Sequence, residues 1–600
     1  MNKFSLLALT FLCCFLSLNL SAQESRFTIS NDQDEYIFYH TIQRGETVYS
    51  IATMYGLKQD DIFQLNPGSR DGIRAGDKLR IPQPSGAQRT GEHYTFHTIK
   101  RGENPFRLTQ EYNVSIQDLM DANPGLTPET FYADMVIRIP PTRIESLPTT
   151  QVEEVTKYLD YTVQRQETRY SLCRKFNISS AELLKLNPKL EDGVKAGMVI
   201  RIPVKTEEVV TSAGAPVATE SEVNAVFRKK EPNQIVQTIN VALLLPFNAQ
   251  DLVSAHPDRV KFVEYYEGFL LALDSIKQMG QAVDLITEDL GTGTQYLNYL
   301  LQSGRLRDRH LIIGGVENGQ VEMLANYAKQ NEIKYVVPFS RNDVVLENEQ
   351  VFQINTPLSY LNDNAAQMAG NLFTGCHVVF VNDNESVSQS SFIHALRKEL
   401  DQKGITCSEI TYLPETFQQM MAGALRPDQM NVIVPTVETP EIVQKIKKPL
   451  RYMAESNPTM RITLFGYPQW QTYNTEEFLD DFFALNTFFY SHFYVNNLVP
   501  TVKNFYEKFN YWYGKNIQNQ YFPRYALLGF DTGIYFLGVV MHLGVNFEND
   551  LHRIAYPSLQ TGFNFERVNN WSGFINTNVF MVHYRRDYIV ERIEMKELLK

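Results

Sequence analysis

The residue types that do enzymatic chemistry are present in this sequence, but not at the spacings such chemistry needs. Eleven histidines occur, none in an H-E-x-x-H arrangement that would set two imidazoles on one helical face for a metal. His93 and His97 are four apart but flank a strand start, so they share no helical face. Gly314 and Gly319 have the spacing of a phosphate loop, yet Gln320-Val321 stand where Lys and Ser or Thr would be needed. No G-x-S-x-G elbow exists to expose a nucleophilic serine. Asp480 and Asp481 are neighbours and point apart, and no cysteine has the local pattern of a wall-peptidase nucleophile. These residues point away from an enzyme, and from any metal or cofactor, towards a binding protein.

A polar loop followed at fixed distance by Asn does recur. The step from Gly45 to Asn66, from Gly102 to Asn123 and from Gln166 to Asn187 is 21 residues each time. The segments Tyr39–Pro82, Tyr94–Pro140 and Tyr158–Pro203 align around these points. Each opens on a strand signal (HTIQRG, HTIKRG, YTVQRQ) and closes on KLRIP or VIRIP, where a proline stops the last strand. Between the strands lie two helical patterns; Val48, Ile51, Ala52 and Tyr55 show the three- and four-residue spacing. The first helix starts at a Thr or Asn cap in repeats one and two, with Pro105 at the first helical position of the second. Each repeat therefore reads as a βααβ unit of α+β class.

These residues resemble the LysM family over roughly 36–203. The matching stretches are Gly45-Glu46-Thr47, Asn66-Pro67 and Gly76-Asp77-Lys78-Leu79-Arg80-Ile81-Pro82. The resemblance implies three βααβ modules, at 36–82, 94–140 and 158–203, that bind N-acetylglucosamine-containing glycan, chiefly peptidoglycan. It also implies a shallow sugar groove between the loop after the first strand and the loop before the last. The implied contact residues are Gly45, Glu46, Thr47, Val48, Asn66, Pro67 and Gly68 in repeat one. In repeat two they are Gly102, Glu103, Asn104, Asn123 and Pro124. Repeat two has Asn104 for the loop Thr and Ala133 for the turn Gly. Repeat three has Gln166 for the loop Gly, which alters the backbone available to sugar.

From about Thr238 the texture changes. NVALLLP, VDLITED, HLIIGG and KYVVPFS alternate with helical stretches, among them EYYEGFLLALDSI, with Tyr266, Phe269, Leu270, Leu273 and Ile276 on one face. A second series runs through HVVFVND, SEITYLP, NVIVPT and ITLFGY. Apolar runs separated by helices specify parallel sheets with right-handed crossovers, and two α/β lobes are the natural count for 235–600.

This order is similar to the type 1 periplasmic-binding-protein fold, the two-lobed family of leucine-binding proteins. LLLPF, IIGGVENG, VVPFS and FQINTP carry the likeness, with FYEKFNYWYG and YALLGFDTGIYFL as a return into lobe one. Ligands of open parallel sheets sit beyond the carboxyl ends of the strands. That places cleft candidates at Phe247, Gly315, Glu317, Phe339 and Ser340 on one lobe, and at Asn382, Asp383, Thr436, Tyr467 and Trp470 on the other. Asp531 reads as a helix-start cap. The stretch Phe482–Tyr525 holds 16 aromatics in 44 residues, enough to form core and also expose a partner surface. Two functions follow: a wall-held scaffold or regulator docking on another envelope protein, such as a peptidoglycan synthase, or a wall-tethered receptor for an amino acid or similar solute.

Lys3, the apolar run Phe4–Leu20 and the small residues Ser21-Ala22 have the layout of a signal peptide over 1–22, which implies export to the periplasm and the cell wall. No later stretch reads as a membrane span. The net charge of −12 argues against a nucleic-acid partner. Cys376 and Cys407 each precede a strand-like run and are placed to meet in neighbouring strands. The composition of 204–234 reads as a flexible linker with a mean reach of about 30 Å, leaving the rear domain free to turn.

Overall fold

The structure is a computed structural model. It describes residues 27–28, 36–42, 46–55, 57–74, 76–83, 94–133, 135–141, 150–165, 167–176, 178–190, 193–211, 218–229, 234–249, 259–383, 390–518, 522–554 and 556–599. The signal-peptide expectation over 1–22 lies outside them.

In repeat one, a two-residue strand β1 (Phe27–Thr28) joins β2 (Tyr36–Thr41), which pairs antiparallel with β3 (Lys78–Gln83) around helices Val48–Met54 and Gln59–Leu65. Repeat two pairs β4 (Thr95–Thr98) with β5 (Val136–Ile139) around helices Pro105–Tyr112 and Ile116–Asp121. Asn104 caps the first of these by accepting the Arg107 N–H, with Pro105 next in line as expected. Repeat three hangs on a long ribbon of β6 (Thr150–Thr162) and β7 (Val199–Thr211), paired at thirteen positions. Its core of Val163, Leu172, Leu183, Ile200 and Ile202 closes on itself.

The rear domain has two lobes, each with a seven-stranded sheet. Lobe one holds β8 (Thr238–Leu245), β9 (Ala282–Asp289), β10 (Leu311–Gly314), β11 (Lys334–Val337), β12 (Val351–Gln353), β18 (Phe565–Arg567) and β19 (Phe574–Asn576), in the order β18-β19-β12-β11-β10-β8-β9. Lobe two holds β13 (His377–Asn382), β14 (Thr406–Thr411), β15 (Asn431–Pro435), β16 (Ile462–Gly466), β17 (Phe488–Ser491), β20 (Phe580–Tyr584) and β21 (Val590–Glu594), in the order β14-β13-β15-β16-β17-β20-β21. The chain crosses between lobes three times, after β12, β17 and β19. The expected parallel pairing holds except at the late strands. There β18–β19, β17–β20 and β20–β21 are antiparallel; β18 to β21 follow one another without the intervening helix that a parallel crossover needs.

Helix Arg259–Gln278 buries a face rotated from the one the spacing suggested, keeping Phe269 and Ile276. Tyr265, Gly268, Phe269, Ala272 and Ile276 point inward, while Tyr266, Leu270 and Leu273 are half-buried. The cause is a glycine contact with helix Tyr525–Leu543. A Cβ on Gly268 would fall 1.8 Å from the Ala526 carbonyl, and one on Gly529 would fall 2.0 Å from that of Tyr265. Tyr525–Leu543 is long and apolar enough to cross a bilayer, contrary to the sequence reading, but 83% of its apolar window is buried in lobe one. Asp531 is no helix-start cap. It lies mid-helix, fully buried, and accepts the N–H groups of Leu559, Gln560 and Thr561 at 2.7, 2.8 and 2.8 Å. Burial nonetheless pushes its carboxyl up to about 6. Cys376 precedes β13 and Cys407 lies within the neighbouring β14, but both are free thiols, as is Cys173.

The segment 204–234 is not a free linker. Residues 204–211 continue β7, and a helix, Glu220–Phe227, opens on a capping box in which Thr219 and Glu222 bond reciprocally. Gln234 then accepts the Val545 N–H of lobe one.

Candidate glycan grooves and the interlobe cleft

Each repeat is closed by one asparagine. Asn66 donates through Nδ2 to the Ile62 and Arg80 carbonyls, and its Oδ1 accepts the Arg80 N–H at 2.9 Å. Asn123 does the same with Leu119 and Arg138, and Asn187 with Leu183 and Arg201. Side-chain hydrogen bonds to backbone at both ends make this residue a tie between the second helix and the last strand.

The loop after the first strand is tied by a glutamate. His40 bridges Tyr55 Oη and Glu46 Oε2, both at 2.7 Å, and His97 bridges Tyr112 and Glu103 at 2.8 Å. Glu103 also accepts the Lys100 N–H. In repeat three Tyr161 stands in the histidine's place, and Lys175 donates to both Tyr161 and Glu167. Burial holds His97 below its usual pKa, against the pull of Glu103. Burial works to raise Glu103, but the bonds from Lys100 and His97 bring it below the usual carboxylate range. The strand signal alone does not mark His40 and His97 for this role, although both stand four residues before the Arg of Arg-Gly-Glu in HTIQRGE and HTIKRGE.

The glycan candidates therefore divide. Glu46, Glu103, Asn66, Asn123 and Val48 serve the fold from inside. Thr47, Pro67, Gly68, Gly102 and Pro124 stand on the surface, Gly102 with φ +85° and Gly68 with open space where a Cβ would lie. Gly45 and Gln166 lie outside the described residues. Asn104 is half-buried, and its Nδ2 donates to Glu220 Oε1 at 3.1 Å.

Repeats one and two dock on lobe one. Trp571, in the turn between β18 and β19, packs into the cluster of Ile51, Tyr55 and Phe96. The Arg138 guanidinium reaches Glu347, and Gly125 N–H donates to the Asn570 carbonyl at 2.6 Å. Two adjoining cavities of about 340 and 700 Å³ remain along this seam. Thr47, Tyr49 and Ser50 face Asp343 and Leu358 across the smaller one.

The cleft candidates are mostly committed. Tyr467 and Trp470 are core: Tyr467 Oη donates to the Pro435 carbonyl, and Trp470 stacks on Phe482. Thr436 Oγ1 donates to Asn382 Oδ1, Asn382 Nδ2 donates to Glu409, and Asp383 pairs with Lys445 at 3.2 Å. On lobe one, Phe339 stacks on Tyr525 and meets Tyr265 edge-on, and Phe247 meets Tyr266 edge-on. Glu317 accepts the Gly293 N–H, and Gly315 makes a left-handed turn at φ +75°. Ser340 Oγ is buried without a protein partner among the described residues. The strand ends thus present aromatic rings and paired groups rather than converging charges. In the aromatic block, Phe482, Phe489 and Phe509 are core, whereas Tyr511 and Trp512 are 81% and 63% exposed.

The LysM domain family matches residues 40–82, 97–140 and 161–203. In the repeat region the chain is similar to the N-acetylmuramoyl-L-alanine amidase sle1 of Staphylococcus epidermidis, at 20% identity over 164 residues, 27% of this chain and 50% of that one. It is 26% identical over 118 residues to an autolysin of Enterococcus faecalis, 18% of this chain and 16% of that one. The chain thus spans half or less of the length of these curated relatives. Among solved structures, a leucine complex of an ABC transporter substrate-binding protein from Desulfitobacterium hafniense aligns with 59% of this chain and 100% of its own, at 15% identity and TM-score 0.33. A putative branched-chain amino acid ABC transporter from Rhodospirillum rubrum aligns with 60% and 99%, at 14% identity and TM-score 0.40. The chain carries three LysM domains, at 40–82, 97–140 and 161–203, ahead of a two-lobed α/β domain.

Proposed function

We propose that this protein is exported, grips N-acetylglucosamine-containing peptidoglycan through its LysM domains, and offers the rear domain as a contact module to another envelope protein, for example a peptidoglycan synthase. The glycan part rests on the LysM match and on the surface loops around Thr47, Gly68 and Gly102. One observation carries the contact-module part. Of the strand-end residues where a solute would bind, Thr436, Tyr467 and Trp470 are buried and Asn382 and Asp383 are paired within lobe two, while Tyr511 and Trp512 stand out from helix Pro500–Tyr513. Exposed aromatic pairs are the side chains that dominate protein interfaces.

A second reading, a wall-tethered receptor for an amino acid or similar solute, draws on Ser340 Oγ and His492 Nδ1, both buried without protein partners among the described residues. A thermal-shift screen of the full chain against amino acids, peptides and muropeptides separates the two. A receptor at a hundredfold excess of its ligand gains about 2.7 kcal/mol, and such a hit would overturn the contact-module reading. Crosslinking capture of an envelope protein that Tyr511→Ala or Trp512→Ala abolishes, with no change in melting temperature, supports it.

A further inference from the structure

The helix Glu220–Phe227 lies across both loops that bound the groove of repeat two. On the first loop, Asn104 Nδ2 donates to Glu220 Oε1 at 3.1 Å. On the second, the Phe131 ring meets Phe227 edge-on with centroids 5.7 Å apart. Val223 and Phe227, 1% and 7% exposed, enter the core of the repeat beside Leu126, with Phe106 packed against them. The equivalent ring in repeat one, Tyr49, is 48% exposed. The helix needs no partner to begin, because Thr219 and Glu222 close its capping box. A helix of eight residues is nonetheless marginal in water, so its apolar face is held only as long as the repeat accepts it.

We propose that this helix is an intramolecular competitor: glycan and residues 220–227 exclude each other from repeat two. The proposal rests on the glycan reading above. Its consequence is reciprocal. The helix lowers the apparent affinity of repeat two by the fraction of time the groove is covered, and bound glycan frees the helix by the same factor. Repeat two then becomes a grip only where glycan is dense enough to displace the helix, and its loading loosens the segment that leads to the rear domain.

Hydrogen exchange of the full chain, with and without saturating N-acetylglucosamine tetrasaccharide, tests this. The expected result is slower exchange in 102–106 and 123–131 together with exchange at least roughly threefold faster in 220–227. Phe227→Asp should raise tetrasaccharide affinity at repeat two by a similar factor. Protection of the repeat-two loops with unchanged or slower exchange in 220–227 would overturn the proposal, as would an unaltered affinity in Phe227→Asp. Protection confined to repeats one and three overturns it also, leaving the glycan reading intact. Protection at no repeat overturns the glycan reading itself.

Discussion

The guanidinium of Arg138 stands 4.4 Å from the ring centroid of Trp571, and 5.0 Å from that of Tyr94. One cation in the last strand of repeat two thus joins its own domain to lobe one, with Glu347 beyond it. Stacked guanidinium contacts of this kind contribute roughly 0.5–2 kcal/mol each, and the buried indole adds more. Trp571→Ala should release repeats one and two from lobe one while leaving both lobes folded. Small-angle scattering should record a larger radius of gyration; an unchanged curve means the seam is held elsewhere.

Asn123 and Asn66 ought to act on stability rather than on sugar. Asn123→Ala leaves the Leu119 and Arg138 backbone groups without their partner, a loss of about 1–3 kcal/mol. Differential scanning calorimetry should show a lower melting transition for the repeat. Tetrasaccharide affinity, measured well below that transition, should be unaltered; a drop in affinity without a drop in stability would place the amide on the ligand instead.

Acid should weaken repeat two. His97 titrates below its usual value of 6.5 in the fold, so the unfolded chain takes up its proton first. Stability is fully present above about pH 6.5 and declines as the pH falls through it. Glu103, held below its usual 4.5, adds a further loss in the same direction under more acid conditions. Hydrogen exchange of 95–139 between pH 7.5 and 5, corrected for intrinsic rates, should show protection falling with pH. Flat protection across that range would remove His97 as the cause.

Lobe two carries a buried cation. Lys447 is fully buried and bonded to Asp481, which also accepts from Arg451 at 3.1 Å. Asp481→Asn leaves Lys447 with only Glu477 Oε1 at 3.3 Å, so the loss should approach, and not exceed, the roughly 3–5 kcal/mol of a broken buried pair. Lys447→Met with Asp481→Leu should recover most of that. Urea denaturation of the single and double variants reads the difference, and equal losses in both would mean packing, not charge, decides the site.

The repeats were legible because their signals are local and occur three times: the last-strand runs ending in Arg-Ile-Pro and the 21-residue step to Asn66, Asn123 and Asn187. The expectation that a proline stops each last strand holds only at Pro140; Pro82 and Pro203 lie within β3 and β7, because an edge position needs no N–H from them. The two lobes were legible from strand runs. What escaped the sequence reading is long-range. Trp571 and Phe96 meet across hundreds of residues, and nothing around either announces the other. Tyr467 and Trp470 follow a strand, where a ligand is expected, but their bulk and apolarity send them into the core. Helix Glu220–Phe227 was hidden by the small residues ahead of it, although Thr219 to Glu222 spells a capping box and Val223, Val226 and Phe227 form a stripe.

The ribbon of β6 and β7 has a bearing on how the protein withstands cutting. Repeat three joins the rest of the chain through two strands that leave it side by side, paired at eight positions beyond the repeat (150–157 with 204–211) or roughly 26 Å. A protease that severs one strand does not shed the repeat, since the other strand is intact and the backbone pairs keep the cut end in register. Two cuts, one in each strand, are needed before whatever repeat three holds comes away.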